Sequence, residues 1–157
     1  MSLNKAVETM METPIFAGID PKRLRLLAFM SESLTYRAGE LLFDQGDEGD
    51  SAFVTLSGSA SVLITIDGAK QEVAVIGPKQ VFGEMAVLCD IPRTAAIGAK
   101  TDLEVLRIDR DAFLKLLAEF PEVSLQVMRF LAMRLERTTQ ALGAAQSQIK
   151  ALEEAGA

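Results

Sequence analysis

The sequence contains no histidine. That removes the commonest ligand of zinc, haem and non-haem iron sites and the usual general base of hydrolases. A single cysteine, Cys89, excludes an internal disulfide and also an iron–sulfur cluster, which needs about four thiolates. In its mostly apolar stretch Cys89 reads as a buried small hydrophobe. No apolar run approaches the roughly 20 residues of a membrane span. The stretch Met1–Met11 is amphipathic, carries Lys5 and Glu8, and lacks the compact apolar core of a signal peptide. A cytoplasmic protein with no membrane contact is therefore expected. Basic charge is scarce as well: 16 lysines and arginines face 22 acids, for a net charge of -6. An acidic surface repels phosphate backbones, so no nucleic acid is expected on this chain alone. One local positive pocket for a small anion stays open.

The chain has 157 residues, 49% of them apolar, enough for one domain with a respectable core and too many for disorder. Leu3, Val7 and Met10 predict a short helix over 3–11. Asp20-Pro21 reads as an N-cap followed by proline at the first helical position, with Lys22, Arg23 and Arg25 on a solvated face. From about residue 34 the period changes to two. Seven strands are expected, at Leu34–Arg37, Glu40–Asp44, Ala52–Leu56, Ala60–Ile66, Glu72–Ile76, Thr94–Ala99 and Leu103–Ile108. Turn signals separate them, Asp67-Gly68 being a strong hairpin sign. Many short strands so punctuated predict an antiparallel sandwich or barrel such as a jelly roll. At Asp109, a candidate cap, the period returns to helical, with Phe113, Leu116, Leu117 and Phe120 on one face. Pro121 ends that helix and starts another, expected from about Glu122 to Glu154.

This last helix is too long to lie buried against a small barrel. Met128, Leu135, Leu142 and Ile149 recur every seven residues, as do Leu131, Thr138, Ala145 and Leu152, three further on. The pattern favours self-association over packing on the chain's own domain. Thr138 and Ala145 interrupt the seam at mid-helix.

Residues 82–95 read Phe-Gly-Glu-Met-Ala-Val-Leu-Cys-Asp-Ile-Pro-Arg-Thr-Ala and break the strand pattern. Gly83 to Ala86 can form one helical turn after a strand, whose free N–H groups suit an anion. Arg93 follows Glu84 by nine residues. A guanidinium fork matches phosphate oxygens, and a carboxylate accepts from a sugar hydroxyl. The same pair also reads as a plain salt bridge at a barrel rim; on the residues alone both stand.

This stretch resembles the phosphate-binding cassette of cyclic nucleotide-binding domains: Phe-Gly-Glu-(Leu/Met)-Ala, a variable loop, then Pro-Arg-(Thr/Ser/Ala)-Ala. The run from Ala38-Gly39-Glu40 through Gly46-Asp47-Glu48-Gly49-Asp50 to Ser57-Gly58 is similar to the family's strand-and-turn signature. Its glycines are expected to supply positive φ at corners. The resemblance covers about residues 15–155. It implies that Phe82, Gly83, Glu84, Met85, Ala86, Arg93, Thr94 and Ala95 form the ligand site. Gly83 and Glu84 would hold the ribose 2′-hydroxyl, the Met85 and Ala86 amides would face the cyclic phosphate, and Arg93 and Thr94 would bind it. Val62, Ile64, Val73 and Val75 are candidate base walls. The long helix resembles the dimerisation helix of the catabolite activator protein family, which implies that Thr138 and Thr139 reach the adenine amino group, one from each subunit.

The expectation is thus a mainly β protein: a jelly-roll (double-stranded β-helix) barrel with short N-terminal helices over residues 1–120, and a long dimerisation helix over 121–157. It is expected to bind cAMP, with cGMP second, as a non-enzymatic sensor without metal or cofactor, and to form a homodimer through residues 125–152. Relatives that regulate transcription continue into a helix-turn-helix; a stand-alone sensor and the sensor half of a regulator both remain open, as does a ligand-free scaffold of the same fold. A cupin-like enzyme on a similar barrel is disfavoured by the missing histidines.

Overall fold

The computed structural model describes residues 3–156. Met1, Ser2 and Ala157, at the outer ends of the two expected segments, lie outside the described residues. Three helical pieces come first: α1 (Leu3–Met11), a 3-10 turn (Pro14–Phe16) and α2 (Pro21–Met30). The Thr13 hydroxyl donates to the Thr9 carbonyl at 2.8 Å, satisfying one of the orphan acceptors where α1 ends. The Asp20 carboxylate accepts the Lys22 N–H at 3.0 Å and caps α2 in front of Pro21, as the sequence predicts. Lys22, Arg23 and Arg25 are exposed, and Arg23 lies over the Phe120 ring at 4.8 Å.

The strands are β1 (Glu32–Tyr36), β2 (Leu41–Phe43), β3 (Ser51–Ser57), β4 (Ala60–Ile66), β5 (Ala69–Ile76), β6 (Val81–Phe82), β7 (Ala96–Ala99) and β8 (Leu103–Asp109). They form two antiparallel four-stranded sheets, ordered β1-β8-β3-β6 and β2-β7-β4-β5. Both sheets are open. All seven expected strands are present, with ends shifted by a few residues. The two-residue β6 has no counterpart in the expectation, because a pair of residues carries no period. Asp67 and Gly68 both take positive φ, 52° and 82°, and Ile66 pairs with Ala69, so the predicted hairpin forms with a tight left-handed turn.

The first sheet is covered on both faces, and its alternation sorts residues between two cores. Ala52, Val54 and Leu56 of β3, Val81 of β6, and Leu106 and Ile108 of β8 join Met10, Phe16, Leu24, Phe113, Val123 and Val127 under the helices. Phe53, Phe82, Leu103 and Val105 point the other way, against Ala60, Ile97 and Ala99 of the second sheet. Burial on both sides explains why β3 is buried from Ser51 to Leu56 with no exposed face. Phe113 is fully enclosed, and truncating such a side chain to alanine costs about 3–5 kcal/mol.

Helix α3 (Glu84–Cys89) interrupts the sheets, and α4 (Arg110–Glu119) and α5 (Pro121–Ala155) complete the chain. Asp109 precedes α4, but its side chain makes no cap; it accepts from Arg107 at 2.8 Å instead. Cys89 is exposed, which corrects the expectation of burial: it ends α3 on the outer side of the cassette. Helix α5 is 35 residues long. Val123 and Val127 root it in the core, and from Ala132 onward every described residue is exposed. Among the described residues no helix is long and apolar enough to cross a membrane.

Candidate functional site

β6 delivers the chain to Gly83, whose φ of 77° lies in the left-handed region. A β-carbon there would meet Arg93 Nη1 at 2.8 Å, so strain and crowding both require glycine. The turn reverses the chain directly into α3, bringing Glu84 inward. Gly49 has a different reason to be glycine: a β-carbon would fall 2.1 Å from Ala86 Cβ. Gly39, Gly46 and Gly58 have positive φ, as expected at corners. The loop after α3 is fastened to the β2–β3 loop by Arg93 N–H donating to the Asp47 carbonyl at 2.8 Å and Gly46 N–H donating to the Arg93 carbonyl at 2.9 Å.

Arg93 is only 4% exposed. Nη1 donates to the Gly83 carbonyl and Nη2 to the Ser51 carbonyl, both at 2.8 Å, with the Ser51 hydroxyl at 3.3 Å from Nη2. The guanidinium lies 4.1 Å from the Phe43 ring centroid, in a cation–π arrangement. Its Nε is buried without a hydrogen-bond partner. Burial pulls the Arg93 pKa below its ordinary value, partly opposed by the nearby carboxylates, Asp50 foremost. Asp50 accepts from Ser51 and pairs with Arg107 at 3.1 Å. Burial alone would raise its pKa; the hydrogen bonds and the Arg107 charge outweigh that and leave it below the usual carboxylate range.

Glu84 is 2% exposed and does not pair with Arg93. Its Oε1 accepts from Arg134 Nη1 at 2.6 Å, and its Oε2 is buried with no partner. The rim salt bridge that the residues alone left open is thus absent; each member of the expected pair has found other groups.

Phe82, Gly83, Glu84, Met85, Ala86, Arg93, Thr94 and Ala95 all line one cleft of about 430 Å³, open to solvent, together with Phe43, Val62, Ile76, Ile97 and Arg134. Phe53 and Phe82 stack beneath it, centroids 5.1 Å apart. Of the expected walls only Val62 faces the cleft; Val73 and Val75 are exposed on the edge strand β5, and Ile64 lies outside the lining. The apolar wall is instead Phe43, Ile76 and Ile97. Thr138 and Thr139 are exposed on α5 outside the lining, and the Thr138 hydroxyl donates to the Arg134 carbonyl at 2.8 Å. Arg134 lies in the run Met133–Thr139 that resembles the family's base-contacting region, but the sequence assigns it no role of its own. Its only signal is a buried carboxylate that needs a cation, and that partner lies 50 residues away.

The cleft therefore offers a buried guanidinium, the amides that open α3, a buried carboxylate and an apolar wall. A sugar phosphate carrying a flat base meets all four. The family model for the cyclic nucleotide-binding domain matches residues 33–120. A CRP-like cAMP-activated global transcriptional regulator of Mycobacterium tuberculosis is 30% identical over 136 residues, 86% of this chain and 61% of that protein. A cyclic AMP receptor protein of Thermus thermophilus is 32% identical over 78% of this chain and 57% of its own length. The chain thus spans about three fifths of the length of these two relatives. Among solved structures, the Thermus thermophilus catabolite activator protein superposes with a TM-score of 0.75 at 29% identity, covering 85% of this chain and 63% of that one. The regulatory domain of Toxoplasma gondii PKA with cAMP gives 0.66 at 26% identity, over 72% and 43%. The chain belongs to the cyclic nucleotide-binding domain family.

Proposed function

We propose that this chain is a cAMP sensor that prefers cAMP to cGMP and passes occupancy to α5. One observation carries the reading: a buried guanidinium N–H and a buried carboxylate oxygen, Arg93 Nε and Glu84 Oε2, have no partner, and both belong to residues that line the same cleft. Leaving such groups unsatisfied costs about 1–3 kcal/mol each, more where charged. A cyclic phosphate accepting from Arg93 and a ribose hydroxyl donating to Glu84 offset both. The Met85 and Ala86 amides and Thr94 complete the phosphate contacts, and Phe43, Val62, Ile76 and Ile97 flank the sugar and base.

Arg134 supports the coupling. It belongs to the exposed helix yet pairs with the carboxylate that receives the ribose, so a ligand that redirects Glu84 changes the hold on α5 and shifts its population. Leu125, Met128, Leu135, Leu142, Ile149 and Leu152 are between 43% and 73% exposed along α5, which favours a homodimer through residues 125–152. Thr138 and Thr139 sit about one turn beyond Arg134, where a dimer brings them toward the base. We read the two open sheets as the walls of a jelly roll, and place the protein in the cytosol, where its single exposed thiol stays reduced.

Titration calorimetry with cAMP and cGMP, on protein unfolded and refolded to strip bound nucleotide, tests the proposal. Binding of one cAMP per subunit, tighter than cGMP, is expected. No heat and no thermal shift with either nucleotide refutes it and leaves a scaffold of the same fold.

A further inference from the structure

A second groove lies beside α5, bounded by the Pro14–Phe16 turn, the β5–β6 loop and the helix. At about 1110 Å³, open space included, it is larger than the nucleotide cleft. Its floor is apolar, formed by Ile15, Phe130 and the half-exposed Met133; Lys79 and Glu12 in the lining pair with each other, so Arg129 and Arg137 supply the positive charge. Among the described residues only three arginine side chains, Arg37, Arg129 and Arg137, have no hydrogen bond, ion pair or ring contact, and two of them flank this groove. The cations gather here in a chain whose net charge is -6. Unpaired arginines beside an adaptable methionine match the composition of protein interfaces. A bare phosphate would use the charge and leave the apolar floor wet, and nucleic acid is disfavoured by the acidic remainder of the surface.

We propose that this groove docks an acidic peptide segment of a partner protein. Arg129 and Arg137 pair with its carboxylates, and Ile15, Phe130 and Met133 receive its apolar side chains. Met133 and Arg137 flank Arg134 in sequence, so a docked peptide touches the same stretch of helix that holds Glu84.

The test is fluorescence anisotropy with a dye-labelled peptide of glutamate and leucine residues, on the full chain in low salt. Binding is expected to weaken at least about tenfold in the double variant Arg129→Glu, Arg137→Glu, as loss of charge-assisted contacts requires. It should be unchanged in Lys22→Glu, Lys150→Glu, which alters the net charge equally away from the groove. Both variants replace exposed side chains, and thermal unfolding checks that they remain folded. Equal binding by the Arg129/Arg137 variant overturns the proposal, as does no binding of the peptide. Displacement of the peptide by inorganic polyphosphate or single-stranded DNA as readily as by unlabelled peptide marks a general anion site and also overturns it. None of these readouts requires nucleotide, so they are independent of the cAMP reading.

Discussion

The Arg134 guanidinium donates to Glu84 Oε1 across 2.6 Å, and through that contact the solvent-exposed helix α5 is held to the opening turn of α3. The partners differ in setting. Glu84 is enclosed, whereas the Arg134 side chain is 46% exposed. Removing Arg134 leaves a buried carboxylate without its cation, while removing Glu84 returns an arginine to water. A double-mutant cycle of Arg134→Ala and Glu84→Gln, read by chemical unfolding, should give a coupling of about 1 kcal/mol, toward the low end for contacting residues because water screens the arginine. A cycle that closes at zero refutes the tether.

Arg93 holds two backbone carbonyls as well as facing the cleft, so its variants separate structure from binding. Arg93→Lys keeps the charge but loses the fork that spans Gly83 and Ser51. It should lower stability by about 1–3 kcal/mol through the carbonyls left unpaired. Arg93→Ala should also reduce cAMP affinity by about 10-fold to 150-fold, the equivalent of one charge-assisted contact. Thermal unfolding and calorimetry on the same samples check both.

Gly49 and Ala86 meet where the β2–β3 loop packs on α3. Gly49→Ala should cost about 1–3 kcal/mol from overpacking. The compensating pair, Gly49→Ala with Ala86→Gly, moves the methyl across the contact and should recover part of the loss. If the second change only adds to the first, the two residues do not share this contact.

Leu135 and Leu142 lie on one stripe of α5, 68% and 58% exposed. Replacing both with aspartate should yield monomers of unchanged fold in sedimentation, with circular dichroism confirming the sheets. A dimer that persists refutes self-association through this helix.

The Asp50 carboxyl is held below its ordinary pKa by Ser51 and Arg107 against the effect of its partial burial. A depressed folded-state value means stability that is present above the unfolded pKa of about 3.9 and lost as pH falls through the folded value. The wild type should therefore lose melting temperature progressively below about pH 4. Asp50→Asn should start lower and show a shallower loss over the same range. Parallel slopes contradict the pairing.

Elements defined by local pattern were legible in the sequence: the capped α2, the Asp67-Gly68 turn, the alternating strands and the contiguous cassette from Phe82 to Ala95. Each depends on neighbours in the chain. What escaped depends on distance. Arg134 acquires its role only when α5 returns past α3, and no periodicity marks it. β6 exists because Phe53 and Val54 supply a pairing edge for Phe82 and Val81. Val73 and Val75 looked like pocket walls because β-branched residues on a strand usually face a core, yet β5 is an edge strand and leaves both exposed. Cys89 failed for a related reason: its apolar neighbours Val87 and Leu88 turn toward the core, and the helical third position turns away.

The bare portion of α5, from Ala132 to Ala155, is a rigid arm about 36 Å long at the helical rise of ~1.5 Å per residue. It is rooted by the core residues Val123 and Val127, and Arg134 is held to Glu84 about two turns beyond that root. A tilt of about 10° around Val127 would move the helix by ~2 Å at Arg134 and by ~7 Å at the far end, so any shift of the Glu84 contact would be enlarged about fourfold at the tip.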